Sequence, residues 1–117
     1  GRVLTTNDAD GKFTLPTITS DNIGSTFTFY VETAATDMDI KTDGTDKFVG
    51  GLYTGVTNAT GKTFISGASN DVITMNGSTK GGLVGSTVTA TAIATAKYVV
   101  SGVILGSGTL VTPFADA

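Results

Sequence analysis

Ser25-Thr26-Phe27-Thr28-Phe29-Tyr30-Val31-Glu32-Thr33 is the stretch that decides the fold. Phe27, Phe29 and Val31 fall on one side of an extended chain, and Thr26, Thr28, Tyr30 and Glu32 on the other. That period of two sets a phenylalanine stripe on a core and a polar face outward, the signature of a half-buried strand. Threonine, β-branched at Cβ, suits such a pleated surface.

The same rhythm recurs on both sides of this strand. Lys12-Phe13-Thr14-Leu15 alternates likewise and stops at Pro16, which has no N–H to give a ladder. Arg2-Val3-Leu4-Thr5-Thr6 reads as a strand from the start of the chain. Further strands are expected at 38–42, 47–52, 62–66, 71–76, 86–94 and 97–105. Ala9-Asp10-Gly11, Asp43-Gly44, Thr60-Gly61, Asn76-Gly77 and Gly81-Gly82 supply the turns between them.

The chain of 117 residues holds 23 threonines and 16 glycines, and its only glutamate is Glu32, so helix formers in a 3.6-residue rhythm are scarce. The expectation is an all-β single domain of about nine strands: an antiparallel β-sandwich, jelly roll or small barrel. Phe13, Leu15, Phe27, Phe29, Val31 and Val99 are expected in one buried cluster. In 86–94 the small residues Val88, Ala90, Ala92 and Ala94 share a face, against Thr87, Thr89, Thr91 and Ile93. That small face suits close packing on a sheet of the same chain or on a neighbouring subunit. The domain is expected to divide into a β-rich core, 1–105, and an extended C-terminal arm, 106–117, with Phe114 anchoring in a neighbour's pocket.

Composition narrows the chemistry. Charged residues are 15% of the chain, against a usual share of roughly 25%. The net charge is −3, and the seven basic residues are scattered, which argues against nucleic-acid binding. Cysteine and histidine are both absent, so there is no disulfide, no zinc site of the usual kind, no Cys-His nucleophile and no Ser-His-Asp triad. No run approaches the ~20 apolar residues of a membrane-crossing helix. The chain opens at Gly1 without a methionine, so a leader is expected to have been removed, or the chain to begin inside its gene product.

Two acidic stretches invite a calcium reading, and both fall short. Asn7-Asp8-Ala9-Asp10-Gly11-Lys12 looks like half a calcium loop, but with Asp10-Gly11 at the fifth and sixth positions Thr6 stands first and Thr17 twelfth, so the first aspartate and the bidentate glutamate are both missing. Asp37, Asp39, Asp43 and Asp46 form the second. Aligning Asp39, Lys41 and Asp43-Gly44 puts a lysine on a ligand position and Gly50 at the end. Asp37 and Asp39 would project from one strand face about 7 Å apart, the arrangement of paired carboxylates, but without flanking aromatics. A strand-connecting turn and a solvated hairpin rim are the expected roles. Asn58-Ala59-Thr60 and Asn76-Gly77-Ser78 match a glycosylation acceptor by spacing and lie on turns. Gly50-Gly51 and Gly81-Gly82 lack the following Lys-Ser/Thr of a phosphate cradle and read as bulges or turns. No catalytic, metal or cofactor-binding residue is assigned, and no enzyme is expected.

Five segments together resemble the capsid decoration (cement) proteins of tailed phages: the Gly1-Arg2-Val3 opening, Phe13-Thr14-Leu15-Pro16, Ile23-Gly24 with Phe27 and Phe29, Phe48 with Gly50-Gly51, and the closing Gly108-Thr109-Leu110-Val111-Thr112-Pro113-Phe114. The resemblance implies a structural protein of the virion, on the capsid surface, that bridges neighbouring capsomers. It implies the major capsid protein as partner and a homotrimer as the assembly, with no nucleic acid, membrane or cofactor. The alternatives are a head-fibre or tail-fibre tip binding a host receptor or glycan, and a bacterial adhesin module. A glycan-binding tip would draw its aromatic platforms from Tyr30, Tyr53 and Tyr98, since tryptophan is absent.

Overall fold

The structure, a computed structural model, describes the backbone of residues 2–116 and the side chains of residues 6–116. It is an all-β sandwich. Ten strands are described: β1 (Arg2–Thr6), β2 (Lys12–Thr14), β3 (Thr26–Val31), β4 (Met38–Lys41), β5 (Lys47–Val56), β6 (Ala59–Ile65), β7 (Val72–Met75), β8 (Thr87–Ala94), β9 (Lys97–Gly106) and β10 (Phe114–Ala115). One sheet has six strands in the order β1-β3-β8-β9-β5-β6, and the other has four in the order β10-β7-β4-β2.

The chain alternates between the sheets at its start, and this sets the pairing. From β1 it crosses to β2 in the second sheet and returns as β3, so β3 runs parallel to β1. One step later β4 lies parallel to β2 for the same reason. β9 then enters between β8 and β5, antiparallel to β8 and parallel to β5. The antiparallel pairing expected from short turns therefore holds for β3–β8, β8–β9, β5–β6, β4–β7 and β7–β10, and three ladders are parallel. Alternation alone cannot separate the two arrangements, because both put alternate residues on opposite faces.

The core lies between the sheets. Phe29, Val31, Val88, Ala90, Ala92, Phe48, Leu52, Tyr98, Val100 and Ile104 enter it from the first sheet, and Met38, Ile40, Ile73, Met75 and Phe114 from the second. Phe13 and Phe27 pack against its rim half-buried, with the Phe13 and Phe29 ring centres 5.9 Å apart and tilted by 54°. The small face of β8 is thus covered within the chain. Tyr98 is fully buried, and its hydroxyl donates to the Pro16 carbonyl at 2.6 Å.

Four expectations are corrected. Val99 is half-buried on the opposite face of β9, because Tyr98 and Val100 take the inward positions. In an unbroken apolar run no alternation marks which face turns in. Thr60-Gly61 is not a turn but lies inside β6, and the β5–β6 hairpin turns at Thr57-Asn58, with Asn58 at a φ of 56°. Glycine is required at 61 because a Cβ there would meet the Thr54 carbonyl as well as the tip of the Tyr53 ring. Gly50-Gly51 lies inside β5, where the register against β9 holds a constant offset from Gly50–Val100 to Tyr53–Val103. Gly50 takes a φ of 102°, and any Cβ there would meet the Val100 carbonyl.

The fourth correction concerns the arm. Residues 106–116 fold back onto their own domain: Ser107 N–H donates to the Ser78 carbonyl, Val111 N–H to Thr79, and Thr74 N–H to Pro113. β10 then closes the β7 edge, pairing Phe114 with Ile73. Phe114 and Leu110 are buried, and Phe114 belongs to this chain's core rather than to a neighbour's pocket. An apolar residue after Gly and Pro looks the same in sequence whichever chain covers it. Gly1 and Ala117 lie outside the described residues.

Candidate interaction surface

The second sheet turns charge outward. Lys12 lies opposite Asp39 on the β2–β4 ladder. Its ammonium sits 3.3 Å from an Asp37 oxygen and 3.4 Å from an Asp39 oxygen, and it donates to the Asp37 carbonyl. Desolvation pulls the Lys12 ammonium down, but the hydrogen bonds to Asp37 and Asp39 and their charges outweigh it, and the pKa is raised. Asp37 and Asp39 do share a face, as their spacing requires, and a lysine from another strand occupies the space between them.

Asp43 and Asp46 work as loop fasteners. One Asp43 oxygen accepts from the Thr45 and Asp46 N–H groups at 2.9 and 3.0 Å, and the other from the Thr17 hydroxyl at 2.9 Å. The bonds from the Asp46 amide, Thr17 and the Thr45 amide hold the Asp43 carboxyl below its ordinary value. Asp46 is buried and accepts from the Ile18 N–H at 2.9 Å. This stretch connects strands of different sheets, so it is a crossover loop rather than a hairpin rim. Burial, then the Asp46 and Asp43 charges, push the Tyr98 hydroxyl up. Lys47, reaching around the end of the sandwich, meets buried Asp71 at 3.0 Å.

Asp8 and Asp10 stand on the expected turn, where Gly11 N–H donates to the Asp8 carbonyl and Asp10 N–H to the Asp8 side chain. Among the described residues, no three Asp, Glu, His or Cys side chains converge as a metal-binding group. Asn58 is exposed at its hairpin turn, whereas the Asn76 carbonyl oxygen accepts from the Ser78 and Lys80 N–H groups and so holds its own turn together.

The outer face of the six-stranded sheet has different chemistry. Thr26 and Thr28 of β3 face Thr91 and Thr89 of β8, with hydroxyl oxygens 3.1 and 3.2 Å apart. These pairs satisfy part of the hydroxyl valence within the sheet and leave the methyl groups outward. Toward β6 the face turns aliphatic and aromatic, with Val99, Val103, Tyr53 and Ile65. Tyr53 is 44% exposed, Val103 48% and Ile65 78%. Across β3, β8, β9, β5 and β6 the one charged side chain at an outward strand position, apart from Lys47 and its bond to Asp71, is Lys97 at the end of β9. At the opposite end Glu32, exposed, follows β3.

Beside this face a shallow groove of about 440 Å³ runs between Tyr53, Val56, Leu83, Val84, Val103 and Leu105. Of the three tyrosines, Tyr30 and Tyr53 stand on the outer face, and Tyr98 is withdrawn into the core. They do not form one platform, because β3 and β5 are separated by β8 and β9. The alternation that located β3 and β8 already marked Thr26 and Thr28 as outward and put Thr87, Thr89 and Thr91 opposite the small face of β8. It did not show the face continuing through Val103, Tyr53 and Ile65, because that needs the parallel β5–β9 pairing. Comparison with protein-family models, with curated proteins and with solved structures found no match to this chain.

Proposed function

We propose that this protein is a non-catalytic structural component of a phage virion, seated on the capsid surface, where it bridges neighbouring capsomers. The observation that carries this reading is the outer face of the six-stranded sheet: broad, without charge in its middle, built of threonine and aliphatic side chains, and so suited to burial within an assembly of subunits, whether of this chain or of the shell. Such a face is inexpensive to desolvate against another protein, whereas a charged face loses hydration that imperfect pairing does not return. The buried sandwich behind it keeps the face rigid, so little ordering entropy opposes docking. The segments that resemble phage decoration proteins point the same way.

The mechanism is passive. A subunit that contacts several capsomers makes their separation require several interfaces to break together, and each contact raises the effective concentration of the next. The partner in this reading is the major capsid protein, and the assembly that the resemblance implies is a homotrimer. Image reconstruction of purified particles tests it. Density for this sandwich bridging capsomers on the shell is the expected result. Its presence only on a tail or fibre tip, or its absence from particles, overturns the reading.

A further inference from the structure

We infer that copies of this chain associate through the outer face of the six-stranded sheet, with Ile65, Tyr53 and Val103 at the centre of the contact. The inference deepens the proposed assembly by naming the face that joins the copies, and it can fail separately from the capsid reading, because it concerns the protein without a shell.

Area is the first argument. Six strands at a spacing of roughly 4.8 Å make a sheet about 29 Å wide, and the ten-residue strands β5 and β9 run for about 33 Å. Even with the short β1, β3 and β6 at the sides, the face offers roughly 700–800 Å². A standard stable interface buries about 800 Å² on each partner. The opposite sheet, with four strands of which the longest described has four residues, offers much less.

Shape and charge are the second. Ile65 is the most exposed of the large apolar residues described, and it stands on β6 two register positions from Thr63, the partner of Tyr53. The groove that Tyr53 and Val103 help to line is mostly apolar, with Thr57 at its side, and is open to solvent. One surface therefore carries both a knob and a socket, so copies can seat Ile65 of one in the groove of the next. A two-fold pair achieves this face on face with the whole surface covered, whereas a three-fold ring would divide the face between two neighbours. Lys97 lies at one end of the face and Glu32 near the other, so oppositely directed faces bring unlike charges toward each other.

The edge of the sheet is a poorer contact. At β6, Lys62 shares the inward side with Thr54, and an inward-pointing charge on an edge strand opposes edge-to-edge pairing.

The test is sedimentation and light scattering on the isolated protein across a concentration series, with Tyr53→Lys, Val103→Lys and the milder Val103→Thr. Thr74→Lys, on the outer side of the other sheet, is the control. The expected result is an oligomer whose dissociation constant rises at least about tenfold in either lysine variant, with a smaller rise for Val103→Thr and none for the control. Circular dichroism that matches the parent confirms that the variants are folded; these side chains are half in solvent already. A parent that stays monomeric at high micromolar concentration overturns the inference, as does an oligomer that none of the three substitutions weakens. A monomeric parent that still decorates shells, and loses that ability with Tyr53→Lys, overturns it too and assigns the face to the shell, leaving the particle reading intact.

Discussion

Lys12, Asp39, Lys41 and Thr74 stand on the outer side of the four-stranded sheet; Thr87, Thr89, Thr91, Ile93, Val99 and Val103 stand on the outer side of the six-stranded one. Both rows come from strands with the same period of two, and each is backed by the same core. The first row pairs its charges internally, with the Lys12 ammonium shared between Asp37 and Asp39. The second carries hydroxyls that bond to one another and aliphatic groups that bond to nothing. A surface that settles its charges internally asks little of a partner, whereas exposed valine, isoleucine and tyrosine gain free energy when covered. The difference is the reason the proposed contacts are placed on the six-stranded side.

The comparison depends first on register, since a slip of one residue would exchange the inward and outward sets of a strand. Phe29→Ala and Phe114→Ala test this with the largest expected effect, a loss of about 3–5 kcal/mol each in chemical denaturation. Both side chains are buried in the shared core, one from each sheet. A loss below about 1 kcal/mol at Phe29 would mean that β3 presents its phenylalanines outward. The same small loss at Phe114 would return residues 106–116 to the status of a free arm.

Much of this was legible in advance, and the limits have physical causes. Strict alternation located β3 and β8 and separated their two faces, and it turned Phe27-x-Phe29-x-Val31 inward, while Val88-x-Ala90-x-Ala92 fitted either its own sheet or a neighbouring subunit. Tyr98-Val99-Val100 has apolar residues on both faces, so its direction was decided by what packs on it. Pairing between β5 and β9 joins residues fifty apart in the chain, and no local pattern encodes that partner. Lys12 meets Asp37 and Asp39 only because β2 lies parallel to β4. An isolated reading of either acidic stretch therefore left its counter-ion out. For the same reason, the candidate surface was visible only as its threonine half.

Thr54 tests the core behind the six-stranded face. It is fully buried on the inward side of β5, and its hydroxyl has no hydrogen-bond partner. A buried, unsatisfied polar group costs about 1–3 kcal/mol, and valine matches the shape of threonine without that group. Thr54→Val should raise stability, by about 1 kcal/mol, with the oligomeric state unchanged. A loss of stability would mean that the hydroxyl is satisfied by a group such as ordered water, and that the core behind the uncharged face is wetter than its contacts imply.

Asp43 extends the comparison to acid. Its carboxyl is held below the ordinary value of 3.8, first by the Asp46 amide and then by Thr17 and the Thr45 amide. A carboxyl depressed in the folded state contributes stability that is fully present above its unfolded pKa and is lost as pH falls through its folded pKa. Thermal melts should therefore be flat above about pH 5 and fall below about pH 4. Asp43→Asn should be less stable at neutral pH and show a shallower decline in acid. A decline as steep as that of the parent would move the acid sensitivity to another carboxyl.

The smallest effects compare the two faces directly. On the threonine side, a double-mutant cycle of Thr28→Val and Thr89→Val measures one cross-strand hydroxyl pair, with an expected coupling of roughly 0.2–1 kcal/mol. That bond joins neutral groups, so its coupling should be the same at low and high salt. On the charged side, a cycle of Lys12→Met and Asp39→Asn measures an ion pair between a half-exposed lysine and a largely buried aspartate. Its coupling should be small at low ionic strength and should weaken, without vanishing, as the Debye length shrinks to about 3 Å near 1 M salt. The two cycles together decide whether the faces differ in kind. If salt weakens the threonine pair as it does the lysine pair, the six-stranded face holds charge that its strand residues do not reveal. If neither responds, the Lys12 contacts are held by hydrogen bonding to the Asp37 carbonyl rather than by charge. Salt sensitivity on the charged side alone keeps the contrast between the faces and leaves the threonine and aliphatic side as the one whose burial costs no ionic hydration.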